Sequence, residues 1–200
     1  MQQHHDRHAH HAEIGAFLDL VNTLELDDGA PQEHLPTIEA AVEFFASRNL
    51  AHRDSLEAAA TDRQLGRVHT IRRAAREVWD ALVEHRAAAP LAVAGINAAL
   101  RHRPLVELTL GQDGCSVGHC HTGDPWDEAF ARTLEPFVET VAEGDVDRFR
   151  ICANDGCRWV FQDESRAGRR RWCDMSSCGN RAKAARHRAR QKAAESGAVA

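Results

Sequence analysis

Residues 152–192 read CANDGCRWVFQDESRAGRRRWCDMSSCGNRAKAARHRARQK, and they hold four of the chain's six cysteines and 11 of its 25 lysines and arginines. The cysteines form two equal pairs, Cys152-x4-Cys157 and Cys173-x4-Cys178, with 15 residues between them. A tetrahedral metal site needs four ligands, and two short knuckles joined by a loop of roughly 12–20 residues supply them from a short stretch of chain. Four-residue gaps are at the wide end for a knuckle, yet two matched pairs predict one structural Zn2+ on Cys152, Cys157, Cys173 and Cys178. The alternative is two unrelated buried thiol pairs. Sulfur at all four positions leaves none open for water, so such an ion is structural and not catalytic.

Charge is distributed unevenly around this stretch. The whole chain carries −5, but residues 148–192 contain 13 Lys and Arg against four acids, a local +9, which leaves −14 on the remainder. That asymmetry predicts a polyanion-binding end on an acidic body. A helix is expected from about Asn180 to Lys192. Ala182, Ala185, Ala189 and Ala193 form a narrow stripe suited to packing on the knuckles, and cations occupy the other faces. So little apolar surface beside so much charge calls for a partner, and nucleic acid fits because each cation at a phosphate releases a counterion. The candidate contacts are Arg169, Arg170 and Arg171 in the loop, and Asn180, Arg181, Lys183, Arg186, Arg188 and Arg190 on the helix. Trp159, Phe161 and Trp172 suit either apolar filler around the metal or base stacking.

Upstream, 200 residues with 43% hydrophobic content suffice for one cored domain plus this small module. Residues 1–12 form a His-rich tract (His4, His5, His8, His10, His11) expected to be disordered, as are residues 194–200. The N-terminus lacks the apolar stretch of a secretory signal, and no segment reaches the roughly 18 apolar residues of a membrane span. These features place the protein in the reducing cytoplasm, where cysteines serve as metal ligands or free thiols.

Residues 13–147 read as a mostly helical domain. Phe17, Leu18 and Val21 mark an apolar helix ended by Asn22-Thr23, and a loop with Asp27-Asp28-Gly29 and Pro31 follows. Thr37 to Arg48 fits a second helix. Thr61-Asp-Arg-Gln64 matches a capping box, with Gln64 able to reach back, and opens a long helix with Val68, Ile71, Ala75, Val78 and Leu82 on one face. Pro90 starts a short helix. From Leu105 the period becomes two, and Gly111 to Gly114 is a turn, so 105–121 predicts a β-hairpin. Its alternation puts Cys115, His119 and His121 on one face and Cys120 on the other, which disfavours a second metal site. Asp124-Pro125 opens a final helix, kinked at Pro136. The fold class is therefore α+β, mostly helical, with the zinc finger and its C-terminal helix at 148–193.

Arg158-Trp159-Val160-Phe161, Asp163, Ser165-Arg166, Arg170-Arg171-Trp172-Cys173, Met175 and above all Cys178-Gly179-Asn180-Arg181-x-Lys183 resemble the CGNR zinc-finger family. Phe17-Leu18-Asp19-Leu20-Val21-Asn22-Thr23 resembles the opening of the ABATE domain that precedes this finger, and the arginine-rich helix around Ile71 to Leu82 fits the same pattern. Departures are Ala167-Gly168 after Ser-Arg, where an Asn is usual, and Gln162 in place of an apolar residue. The resemblance implies a stress-induced transcription regulator that binds DNA through its finger.

Asp19, Asn22, Thr23, Arg72 and Arg76 are then the candidates for a small-ligand pocket in the body. Helix-end capping and surface arginines are the competing use of the same residues. For an enzyme there is little: no Gly-rich phosphate loop, nucleophile elbow or HExxH, and His69 and His85 without a paired nucleophile. A protein-interaction adaptor and an RNA-binding protein remain alternatives to the DNA reading. A homodimer suits a single-finger DNA reader, because one small module buries little surface.

Overall fold

The computed structural model describes residues 14–111, 114–120 and 123–197, so the His-rich tract lies outside the described residues. Two compact units form: residues 33–147 with the segment up to Leu24, and residues 148–200 with Glu25–Gln32. Along the chain the two units divide at 147/148. In space the short segment 25–32 joins the C-terminal unit.

The first unit is built from α1 (Gly15–Asn22), α2 (Ile38–Ser47), α3 (Arg53–Ala58), α4 (Asp62–Val83), α5 (Pro90–Leu100) and α6 (Pro125–Ala142). Caps set the starts. Thr37 Oγ1 accepts from Ala40 N, Thr61 Oγ1 from Gln64 N, and Asp124 Oδ1 from Trp126 N at 2.9 Å, each filling an orphan donor of a first turn. The expected reciprocal bond of Gln64 is not made. Its Nε2 donates instead to Asp124 Oδ2 at 2.5 Å, so a residue predicted to close its own cap ties α4 to the start of α6. Pro136 lies inside α6, which continues to Ala142.

α4 and α6 pack on each other and on α1, and α4 also meets α2 and α5. Phe17 and Phe137 stack with centroids 4.0 Å apart, and Trp79 lies 5.9 Å from Phe17. A second cluster sets Phe45 edge-on to Trp126 and Phe130 at 5.8 and 5.7 Å. All six rings are essentially inaccessible to water. Burial on this scale, about 1.5–3 kcal/mol per large apolar side chain, holds the unit together. β3 (Leu105–Gly111) and β4 (Gly114–Cys120) form the expected antiparallel hairpin. Its register sets Leu110 opposite Cys115 and Leu105 opposite Cys120. Among the described residues no helix is long and apolar enough to cross a membrane.

One sequence expectation fails between α1 and α2. The segment read as a loop is a two-stranded sheet, β1 (Leu24–Asp27) and β2 (Ala30–Glu33). Asp28 and Gly29 form the two-residue turn with φ of +48° and +87°. Positive φ at both central residues is the type I′ geometry that Asp-Gly favours. The dipeptide was the available signal; Pro31 and the lack of apolar alternation masked it.

The second unit adds β5 (Phe149–Ile151) and β6 (Val160–Gln162), paired antiparallel, a tight turn at Met175–Gly179 and α7 (Asn180–Gly197). α7 runs past Lys192 because Ala193, Ala194 and Glu195 are good helix formers. Gln162 is 6% exposed, and its Oε1 has no hydrogen-bond partner among the described residues. Gln162→Leu should therefore stabilise the metal-loaded finger by about 1 kcal/mol, seen as a raised melting temperature, because it removes a buried unsatisfied carbonyl.

Candidate metal centre and basic helix

The first knuckle is the turn between β5 and β6. Cys152 N donates to Trp159 O at 2.8 Å, and Cys157 N and Arg158 N donate to Asn154 O at 2.8 and 3.0 Å. The Asn154 side chain accepts from Gly156 N at 3.2 Å. The second knuckle is capped by Asp174, whose Oδ2 accepts from Ser177 N at 2.8 Å and Ser176 Oγ at 2.5 Å. Gly179 is buried beneath Met175. A Cβ there would lie 2.9 Å from Met175 Sδ and Cε, at the mobile end of that side chain. Ala153 N donates to Arg171 O at 2.9 Å, which joins the knuckles.

This framework gathers Sγ of Cys152, Cys157, Cys173 and Cys178 within 4.8 Å of one another. The Cys157–Cys173 and Cys173–Cys178 sulfurs are 3.7 and 3.8 Å apart. Tetrahedral Zn–S bonds of about 2.3 Å put ligand sulfurs about 3.8 Å apart, so the donor set fits such an ion. Burial pushes the Cys157 thiol up to about 11 and raises Cys173 as well, the latter also through neighbouring Cys152. Cys178 goes the other way. Burial opposes its ionisation, but Asn154 Nδ2 donates to its Sγ at 3.5 Å and the thiol is lowered. That side chain steadies one thiolate while shaping the opposite knuckle, as an outer-shell partner does.

The inter-knuckle loop is organised by Asp163, 1% exposed. Its carboxylate accepts from Ser165 N and Oγ at 3.0 and 2.5 Å and from Arg170 N at 2.7 Å. These bonds hold it ionised below the usual range against the opposing effect of burial. Arg148 Nη1 donates to Ser165 O at 2.8 Å, and Arg150 Nη2 to Gly168 O at 2.9 Å. Gly168 has φ +60°, and a Cβ on it would lie 2.8 Å from Arg148 Nη1. The left-handed backbone at Gly168 therefore suits glycine.

The predicted cations divide by environment. Arg170 works inside the finger: Nε donates to Trp172 O at 3.0 Å, Nη2 donates to Cys173 O, and its guanidinium lies 5.1 Å from the Phe161 ring centre. Arg171 lies over Trp172 at 5.3 Å, and Arg169 is exposed. Asn180 Nδ2 donates to Ser176 O at 2.9 Å, fastening α7 to the knuckle. Lys183, Arg186, Arg188 and Arg190 are exposed, and Arg181 Nη1 donates to Asp28 Oδ1 at 3.0 Å. The alanine stripe does not pack as expected. Ala182 is half-buried, but Ala185 and Ala189 are exposed, because the small finger core ends at the helix's first turn. Phe161 and Trp172 pack at the cysteines; Trp159 stays 38% exposed and donates Nε1–H to Glu25 Oε2 at 2.6 Å.

In the first unit the candidate ligand residues hold partners of their own. Arg72, 4% exposed, donates Nη1 to Thr23 Oγ1 at 3.0 Å and to Glu33 Oε1 at 2.6 Å, and Nη2 to Glu33 Oε2 at 2.5 Å. His34 N donates to Thr23 O at 2.8 Å. Arg72 thus clamps both ends of the β1–β2 excursion, and Asn22 is buried beside it in sequence. Asp19 instead pairs with Arg48 and Arg76 with Asp80.

The Arg72 hydrogen bonds lower the Glu33 pKa below 4.5. A depressed carboxylate contributes stability above about pH 4.5 that is lost as pH falls through its folded value. Glu33→Gln should cost about 2 kcal/mol at neutral pH by leaving a buried guanidinium uncompensated, and should flatten the acid limb of the unfolding curve.

Comparison with known proteins follows the same division. Residues 15–147 match the ABATE model, described as "Putative stress-induced transcription regulator", and residues 148–191 match the CGNR zinc finger model. No curated protein matches the chain. With two thirds of its length matched by the first model and its cysteine framework by the second, the chain belongs to the ABATE family and carries a C-terminal CGNR zinc finger.

Proposed function

We propose that the protein is a cytoplasmic, non-enzymatic transcription regulator that binds duplex DNA through its finger, with one structural Zn2+ on Cys152, Cys157, Cys173 and Cys178. The observation that carries this reading is the exposure of Lys183, Arg186, Arg188 and Arg190 on a helix fastened directly to the metal-site turn. When bound, the ion supplies cross-linking and neutralises thiolate charge. Asn154 orients Cys178, Asn180 anchors the helix, and Arg170 and Asp163 fix the loop from within. Arg169, Arg171, Arg181, Lys183, Arg186, Arg188 and Arg190 are the phosphate-facing set, with Arg181 nearest the helix start, where groove-inserted helices meet base edges.

The first unit is the regulatory part of this reading. An effector entering at Asn22, Thr23 and Arg72 has to displace the Glu33 carboxylate from Arg72, which favours an anion; Asp19 and Arg76 would join only by leaving Arg48 and Asp80. A two-fold dimer completes the proposal, since one finger buries little surface for tight binding. The test is a fluorescence-anisotropy titration of the zinc-loaded chain against duplex DNA, single-stranded RNA and heparin. Preference for duplex supports the reading, and preference for RNA replaces it with RNA binding. Absence of binding to all three leaves a protein-interaction adaptor.

A further inference from the structure

Within the C-terminal unit, the β1–β2 turn lies on the finger at the base of its basic helix. Gly29 N donates to Gly156 O at 3.2 Å, and a Cβ on Gly156 would lie 3.3 Å from Gly29 N, so the two backbones meet closely. Asp28 accepts from Arg181, and Glu25 accepts from Trp159. The segment 25–32 contains Glu25, Asp27 and Asp28 and no lysine or arginine. Asp28 therefore stands at the first turn of the cationic helix, on the guanidinium that a phosphate would take, while Glu25 sits on Trp159.

The contact is suited to exchange. Arg181 and Asp28 side chains are 52% and 85% exposed, and ion pairs so wet are weak and screened. A cavity of about 270 Å3 between the segment and the second knuckle is bordered by Glu25, Asp27, Trp159 and Arg181 and also by the metal-site cysteines Cys157, Cys173 and Cys178. The segment meets the finger through the polar contacts of Glu25, Asp28 and Gly29. Its two ends return to the first unit, where Thr23 and Glu33 are both held by Arg72.

We infer that residues 25–32 are an acidic strap that competes with nucleic-acid phosphate for Arg181 and so lowers the finger's affinity until it is displaced. This inference rests on the nucleic-acid reading above. The Arg72 clamp gives the first unit a handle on the strap, since whatever separates Glu33 from Arg72 loosens the strap at its base. The type I′ turn is part of the device, because it presents Asp28 at the tip in a conformation that Asp and Asn both tolerate.

The experiment uses the full zinc-loaded chain carrying Asp28→Asn, Glu25→Gln or both. Asn-Gly keeps the turn, and the glutamine oxygen can still accept from Trp159, so charge is removed with little change of shape. Anisotropy with a random-sequence duplex at low salt should give about two- to fivefold tighter binding for each substitution. In an Arg181→Ala background the gain from Asp28→Asn should vanish. Zinc content and melting temperature, measured alongside, identify any variant that has lost its finger; for such a variant Asp28→Ser replaces Asp28→Asn.

Unchanged or weaker binding by folded variants, with wild type still binding DNA, overturns the strap and makes the segment a structural brace. An equal gain in the Arg181→Ala background also overturns it, because the effect is then bulk charge and not competition. Failure of wild type and all strap variants to bind removes the nucleic-acid reading and the strap with it. Binding by the variants alone supports both.

Discussion

Cys173→Ser should release the metal and unfold the finger while the helical unit stays folded. The reason is the size of what remains. Apart from the cysteines, the cluster at the metal site holds Phe161 and half-buried Trp172. A core that small does not offset the conformational entropy of the surrounding chain. A structural zinc site contributes on the order of 10 kcal/mol of apparent binding energy at neutral pH, and in fingers that energy is folding energy. Elemental analysis should find one zinc per wild-type chain and none in the variant. Melting followed by circular dichroism should keep the transition of the unit built around Phe17, Trp79 and Phe137. A stoichiometry near two, or loss of zinc on replacing Cys115 or Cys120, would assign a ligand role to the β3–β4 hairpin that its register disfavours.

The second large effect is on salt dependence. If Arg181, Lys183, Arg186, Arg188 and Arg190 each neutralise one phosphate, log affinity for duplex DNA should fall linearly with log salt at about −0.9 per contact. Five contacts make affinity drop on the order of 500-fold between about 50 and 200 mM salt. Lys183→Ala should lower the slope by about one and weaken every sequence alike. Arg181→Ala should cost about 1–3 kcal/mol on a preferred sequence and much less on random DNA if it reads a base. A wild-type slope near zero removes the electrostatic interface; equal losses on all sequences leave Arg181 a phosphate contact only.

How much of this was legible beforehand follows from how far each feature reaches along the chain. The cysteine cluster was readable because four sulfurs at knuckle spacing can meet one tetrahedral ion, and Cys152, Cys157, Cys173 and Cys178 have that spacing within 27 residues. The caps at Thr37, Thr61 and Asp124 and the β3–β4 hairpin were readable because their bonds or period are local. The cationic face of α7 was readable because helical geometry alone arranges it.

What only the tertiary structure decided is which charged groups already have partners. Arg170 looks like Arg169 and Arg171 in a run of three, yet the loop drawn in around Asp163 turns it onto Trp172 and Cys173. Arg72 looks like a surface arginine until Glu33, 39 residues away, meets it at a buried position. Most of all, the pairing of Asp28 with Arg181 spans 153 residues, and no local propensity encodes it. Composition, spacing and period indicated the clustered cysteines, the helical body and the basic helix, and the motifs carried the resemblance to the family. The placement of the acidic turn on that helix arises from non-local packing, because the energy of each such contact depends on neighbours that only the folded chain brings within reach.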